Sequence, residues 1–331
     1  MPTERTARST RLDVARLAGV SPAVVSYVIN GGPRPVAATT RARVEQAVAE
    51  LGYRPNKAAS ALARGRSQQV GLVVVDNTSP FYAELTAAID NELFRRGMTL
   101  ITVSAVHRPK DAQVTALESL AEHDVSAVIV AADLHQADVA YAQAEGLPLV
   151  VLNEMAPSDG VSSAIVDYRT ATIEAVRHLV GHGRRRIGFV GHFLHDLRYP
   201  AWRDALDGAG LTPGPAIDCD WPIDAGYEAG RRLGAEHRGE VDALFVASDA
   251  LAMGCIAGLR EAGLNVPDDI AIVAFDGTRI APYIGPGLTT MAQPIERIAA
   301  DTVDLVLDPE SRPGTHLTYS ADMVVRHSCG C

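Results

Sequence analysis

Apolar side chains recur at helical spacing in three short segments near the start of the chain. Val14, Leu17 and Ala18 form an i, i+3, i+4 stripe, Val25, Val28 and Ile29 form a second, and Val44, Val48 and Leu51 fall at i, i+4, i+7. The ends of these segments carry stop and start signals. Thr10 and Asp13 stand at capping-box spacing, Gly19 supplies a turn, Ser21 is a strong N-cap followed by Pro22, and Gly52 closes the third segment. Three helices in about fifty residues, the first two joined by a tight turn, predict a helix-turn-helix head. The outer face of its second helix carries Pro22, Ala23, Ser26, Tyr27 and Asn30.

The stretch PNKAASALARG, residues 55–65, follows with Asn56 as N-cap, an alanine-rich interior and Gly65 as a stop. A helix of this length falls short of the roughly 12–15 residues that are marginal in water, and Leu62 is its only large apolar side chain. It needs a partner to fold.

From Val70 onward the period changes. Short, nearly continuous apolar runs (VGLVVVD, TLITVSA, SAVIVAA, LPLVVLN, RIGFVG, ALFVAS, IAIVAFD) alternate with amphipathic helical stretches. That alternation predicts an α/β body of doubly wound parallel sheets covered on both faces. Several runs end in polar residues: Asp76, Asn153, Ser248 with Asp249, and Asp276. Ligands of open α/β sheets bind beyond the carboxyl ends of the strands, so a cleft is expected there, although part of this set serves only to cap the helices that follow.

Charge divides the chain as the pattern does. The 331 residues carry a net charge of −10, but residues 1–66 hold eleven Lys and Arg against four Asp and Glu, a net of +7, and the remainder nets −17. A basic helical head on an acidic body is the footprint of DNA binding joined to another task. Hydrophobic residues make up 47% and charged residues 21%, as in folded soluble proteins, with no apolar run approaching the roughly 18 residues of a membrane span. The first residues lack an apolar signal segment, so a cytoplasmic protein without membrane contact is expected. Cys219, Cys255, Cys329 and Cys331 read as reduced thiols, and the CGC end as a free terminus. No phosphate-loop, dinucleotide, nucleophile-elbow or HExxH motif occurs, and the ten histidines show no metal spacing; neither catalysis, a cofactor nor a metal is expected.

The run TRLDVARLAGVSPAVVSYVIN, continued by TRARVEQAVAELGYRPNKAASALARG, resembles the head of the LacI/GalR family of bacterial transcription regulators. The resemblance continues through NTSPFY, HLVGHGRRRIGFVG, SDALAMG, LNVPDDIAIVAFDG and GLTTMAQP. It implies a head over residues 1–54, a hinge helix over 55–66 that forms only on an operator, and a two-lobed, periplasmic-binding-protein-like body. The first lobe would hold residues 67–182 and 293–316, the second 183–292 and 317–331. Double-stranded operator DNA would meet Thr10, Ser21, Pro22, Ala23, Ser26, Tyr27, Asn30, Arg34, Arg41, Tyr53, Asn56 and Lys57, with Ala59 and Leu62 in the minor groove. A small polar effector, a sugar before a nucleobase, would meet Phe81, Tyr82, Asn153, Arg198, Trp221, Ser248 and Asp276, whereas Trp202 would belong to the core. A homodimeric repressor follows, dimer rather than tetramer because no leucine-heptad tail is present. A solute-binding protein for sugar uptake and an enzyme fused to a DNA-binding head are the alternatives. This chain departs from the family at Tyr27, Pro22 and Ala23, where polar side chains are common, at Ala37, where a helix-capping serine is usual, and at Ser248, often asparagine.

Overall fold

Why the head's three helices stop and start where they do is visible in a computed structural model of the chain. It describes residues 9–30, 35–53, 67–105, 112–132, 136–153, 160–194, 196–310 and 313–331. Arg34, Asn56, Lys57, Ala59, Leu62 and the rest of the hinge segment lie outside the described residues. Two units are resolved, Met1–Ser67 and Gln68–Cys331.

In the first unit, α1 (Arg11–Ala18) begins on a complete capping box in which Thr10 and Asp13 bond each other's backbone, and ends at Gly19 with φ 63°. The left-handed turn there costs glycine nothing. The chain swings through 102° into α2 (Pro22–Asn30), whose first turn is capped by Ser21 Oγ accepting from Val24 N at 3.4 Å. Helix α3 (Ala38–Leu51) starts at Ala37 with no side-chain cap and ends at Gly52. Val14, Ala15, Ala18, Val25, Val28, Val44 and Ala47 make the core. Leu17 does not join it and is 47% exposed, because Ala15 takes its place. A buried face centred between Val14 and Ala15 leaves Leu17 about 100° round the helix.

The second unit holds two sheets of six strands. Its elements run β1 (Gln69–Val74), α4 (Pro80–Arg95), β2 (Thr99–Ser104), α5 (Ala112–Glu122), β3 (Ala127–Ala131), α6 (Gln136–Ala144), β4 (Leu149–Leu152), β5 (Ser162–Val166) and α7 (Tyr168–Gly181). They continue β6 (Ile187–Gly191), α8 (Arg198–Gly208), β7 (Ala216–Asp218), α9 (Ile223–Glu236), β8 (Ala243–Val246), α10 (Asp249–Glu261), β9 (Ala271–Asp276), β10 (Thr289–Ala292), α11 (Ile295–Leu307), β11 (His316–Tyr319) and β12 (Asp322–Val324). The orders are β11-β5-β4-β3-β1-β2 and β12-β10-β9-β8-β6-β7, parallel except for the β10–β12 pair. Each of the seven apolar runs contains a strand, and those strands are buried on both faces in β3, β6, β8 and β9.

The lobes differ from the expected boundaries in two places. Strand β11 pairs with β5 in the first sheet, so the expected break at 316/317 falls inside a strand and moves past Tyr319. Helix α7, expected in the first lobe, packs on α8 and on strands β8, β9 and β10 of the second. It is the crossover, and a crossover helix covers the sheet that it feeds.

Helices α9 and α10 meet through glycine. Gly226 and Gly230 abut the backbone at Leu251 and Cys255, while Gly254 and Gly258 abut the carbonyls of Ile223 and Tyr227, and a Cβ at any of the four would collide with backbone. Backbone cannot yield as a side-chain tip can, so Gly254→Ala is expected to cost about 3 kcal/mol or more. Thermal melting checks this; a variant melting with the parent would show that the helices part freely.

Candidate functional site

Several of the expected polar residues gather where strands of the second sheet end. After β6 the chain reaches Asp196, whose Oδ1 accepts both the backbone N–H of Arg198 at 3.0 Å and its Nε at 2.8 Å. Arg198 Nη1 donates to Ala247 O, just past β8, at 2.7 Å. The guanidinium lies 4.8 Å from the Tyr168 ring centre, 4.9 Å from that of Trp221 and 5.2 Å from that of Phe275. Both charged side chains are nearly buried, at 11% and 4% exposure. Burial works against the charged guanidinium, but Asp196 and Tyr168 outweigh it, and its pKa is raised. Nη2 has no hydrogen-bond partner among the described residues, and neither does the buried Asp196 Oδ2.

Asp276 closes β9 at φ 112°, a conformation that side chains with a Cβ rarely adopt and that is held here by its surroundings. Its Oδ1 accepts from Gln293 Nε2 at 2.9 Å, while Gln293 Oε1 is buried without a partner among the described residues. Asp249, wholly buried beside it, accepts from Thr278 N, Thr278 Oγ1 and Thr290 Oγ1, each at 2.7 Å. Burial pushes Asp249 up to about 6 against those hydrogen bonds. Burial, and then Asp249 itself, push Asp276 well above the carboxylate range despite Arg198.

A carboxyl that is harder to ionise folded than unfolded adds stability below its unfolded pKa of 3.8, and that stability is lost as pH rises through about 6 and beyond. Asp276→Asn removes one of the repelling pair. We expect its melting temperature at pH 7.5 to exceed the parent's by at least about 2 °C and to decline less with rising pH. Equal melting curves would contradict this.

The remaining expected effector residues divide. Trp221 is 36% exposed and its ring lies parallel to His192 at 6.5 Å, beside Arg198. Asn153, with φ 62°, accepts from Tyr168 OH at 3.0 Å and so joins the end of β4 to the aromatic wall around Arg198. Tyr82 is half-buried against Phe81. Phe81 is itself 7% exposed and packs in the core, not on an open wall. Ser248 is buried and caps α10 through Leu251 N at 3.1 Å, and Asp76 accepts from Thr78 in the turn before α4; both are committed locally. Trp202 is in the core as expected. Asp249 was expected only as one of the polar residues at strand ends, and Asp196, Tyr168 and Gln293 were not foreseen. Only Asp196, two residues before Arg198, carried a local signal.

In the head, Ala23 is exposed, and Pro22, Ser26 and Tyr27 are partly so, along the outer face of α2. Arg41 is 47% exposed, 3.9 Å from Glu45, with Nη1 donating to Val28 O at 3.5 Å, and Tyr53 packs at the edge of the core. Thr10 is occupied in its capping box. The CGC end is not a free terminus: Cys331 Sγ lies 3.1 Å from His182 Nε2 and 3.6 Å from His178 Nε2.

Residues 10–56 match the model of bacterial regulatory proteins of the lacI family, and residues 176–329 match a periplasmic binding protein-like domain. Catabolite control protein A of Priestia megaterium is 32% identical over 90% of this chain and 91% of its own. The ribose operon repressor of Escherichia coli K12 is 31% identical over 92% and 94%. The lac repressor dimer, solved bound to operator and the anti-inducer ONPF, superposes with a TM-score of 0.84 at 28% identity, covering 98% of this chain and 99% of that one.

Proposed function

Because the chain belongs to the lacI family of bacterial regulatory proteins, we propose that it is a homodimeric transcriptional repressor whose operator affinity is set by a small sugar held between the lobes of its body. The operator is read by the outer face of α2, through Ser21, Pro22, Ala23, Ser26, Tyr27 and Asn30 in the major groove, with Arg34, Arg41, Tyr53, Asn56 and Lys57 toward phosphates. Ala59 and Leu62 enter the minor groove, where opening a base step bends the duplex.

The observation that carries the ligand reading is the arrangement around Arg198. Two of its nitrogens are spent on Asp196 and Ala247, a third is open, and the buried acceptors Asp196 Oδ2 and Gln293 Oε1 lack donors among the described residues. A polyhydroxyl ligand supplies both kinds of partner: oxygens for Nη2 and hydroxyl donors for Asp196, Asp276 and Gln293. Its flat C–H face suits the half-exposed Trp221. Tyr82 and Asn153 line the facing side, with Phe81 and Ser248 supporting from behind. The ligand is bound and released without turnover, in the cytoplasm where the operator is.

Regulation then follows from linkage. The lobes close on the ligand, and operator affinity changes only by the ligand's differential affinity for the two states. The test is a thermal-shift screen of the full chain against monosaccharides, disaccharides, purine bases and small acids, followed by operator binding with any hit present. A sugar that stabilises the body and alters binding to a duplex selected from random-sequence DNA supports the reading. A purine hit replaces the sugar assignment, and a hit without effect on DNA binding overturns regulation.

A further inference from the structure

Helix α7 places His178 and, one turn on at its C-cap, His182 on one face, their ring centres 4.6 Å apart. The last residues of the chain come to meet them. Ser328, fully buried, donates through Oγ to Ile272 O at 2.7 Å and accepts from Thr289 N at 2.8 Å. Cys329 is buried behind it, and Gly330 turns the chain at φ 89°. Cys331 is thereby delivered onto the histidine pair, with its Sγ 3.1 and 3.6 Å from the two Nε2 atoms. One ligand atom from each of the three residues lies within 4.8 Å of the others.

We propose that His178, His182 and Cys331 form a site for a divalent transition-metal cation of the zinc class, clamping the C-terminal tail to the crossover helix. The two sulfur–nitrogen distances suit it. A tetrahedral ion at about 2.0–2.1 Å from nitrogen and 2.3 Å from sulfur sets those atoms about 3.6 Å apart. A thiolate with two imidazoles is a borderline-soft donor set that takes zinc, cobalt, nickel or copper and refuses magnesium or calcium. On binding, the cation replaces the proton of Cys331, which passes to solvent, and a metal–sulfur bond forms without any change of oxidation state. Three protein ligands leave a fourth position for water. Cys329, with its Sγ 3.2 Å from that of Cys331, stays turned to Arg326 O and positions the tail. This site lies at the amino-terminal end of the second sheet, where Thr289 opens β10, and so at the opposite end of the strands from Asp276.

The test uses the full chain without a polyhistidine tag, reduced, freed of metal and titrated with Co²⁺. The expected result is saturation at one ion per chain, with tetrahedral visible absorption and a near-ultraviolet thiolate-to-cobalt band, both abolished by Zn²⁺. Cys331→Ser should remove the near-ultraviolet band, and Cys331→Ser, His178→Gln and His182→Gln should each weaken Co²⁺ binding by at least about a hundredfold. All three positions are at the surface or half-buried, so the variants keep the fold. Zn²⁺ should also raise the melting temperature of the parent and not that of Cys331→Ser. Absence of the visible band at one equivalent, or its persistence unchanged in Cys331→Ser or His178→Gln, would overturn the site.

Discussion

Replacing Arg198 by alanine is expected to lower affinity for the stabilising sugar by more than about a hundredfold, since hydrogen bonds to a charged group are worth about 1.5–3 kcal/mol each. Operator affinity in the absence of sugar should stay within about threefold of the parent, because the body's ligand wall is not what reads DNA. The substitution has a second effect that must be separated from the first. Asp196, at 4% exposure, loses its only ion-pair partner among the described residues, and a buried charge stripped of its partner costs about 3–5 kcal/mol. Arg198→Lys resolves the two. An ammonium keeps a positive charge beside Asp196 but cannot hold Asp196, the Ala247 carbonyl and a ligand oxygen in one planar fork. Its melting temperature should lie nearer the parent's than that of Arg198→Ala, and its sugar affinity should still fall at least about tenfold. Calorimetric titration beside a melting curve checks both. A lysine variant that binds sugar as the parent does would remove Arg198 from the ligand.

The other large effect belongs to the linker. Leu62→Ala removes the one side chain of residues 55–65 large enough to wedge a base step, and each Leu burial is worth about 1.5–3 kcal/mol. In the proposed dimer two subunits act together on one operator, so binding should weaken by about two to four powers of ten. Sugar affinity of the free protein should not change. Fluorescence anisotropy with the selected duplex measures the first and calorimetry the second. Leu62→Ala binding as tightly as the parent would rule out the wedge.

What could be read from the chain, and what could not, follows the distance over which each interaction acts. Capping signals are local, and Thr10, Ser21 and Gly52 stand where they were expected. Strands buried on both faces announce themselves as apolar runs, which is why the seven-run pattern maps onto the two sheets. Leu17 failed for a graded reason: a two-turn helix meeting two neighbours buries a face shifted from its most hydrophobic stripe, and small Ala15 fits closer to that face than Leu17 does. The lobe boundary failed at β11 because the sequence of an edge strand does not say which sheet it will join.

At the site, Asp276 was legible as a polar residue at a strand end and Arg198 through the family resemblance, yet their partners were not. Arg198 is held by a backbone carbonyl forty-nine positions away, and Gln293 reaches Asp276 from beyond the next strand. Pairings of this kind are made by the fold. The same holds for His178, His182 and Cys331: no metal spacing was read among the histidines, because the i, i+4 pair in HLVGH gains its third member only from 149 and 153 positions further on.

The central claim is that one ligand site in the body and one DNA site in the head share a free energy, and linkage makes this measurable from either end. The sugar's affinity should be titrated for the free protein and again for protein saturated with the selected duplex. The account predicts that the two values differ by the same factor by which the sugar changes operator affinity, about 5–150-fold for ordinary allosteric coupling. Equal sugar affinity with and without DNA, in a protein that binds both, would contradict it.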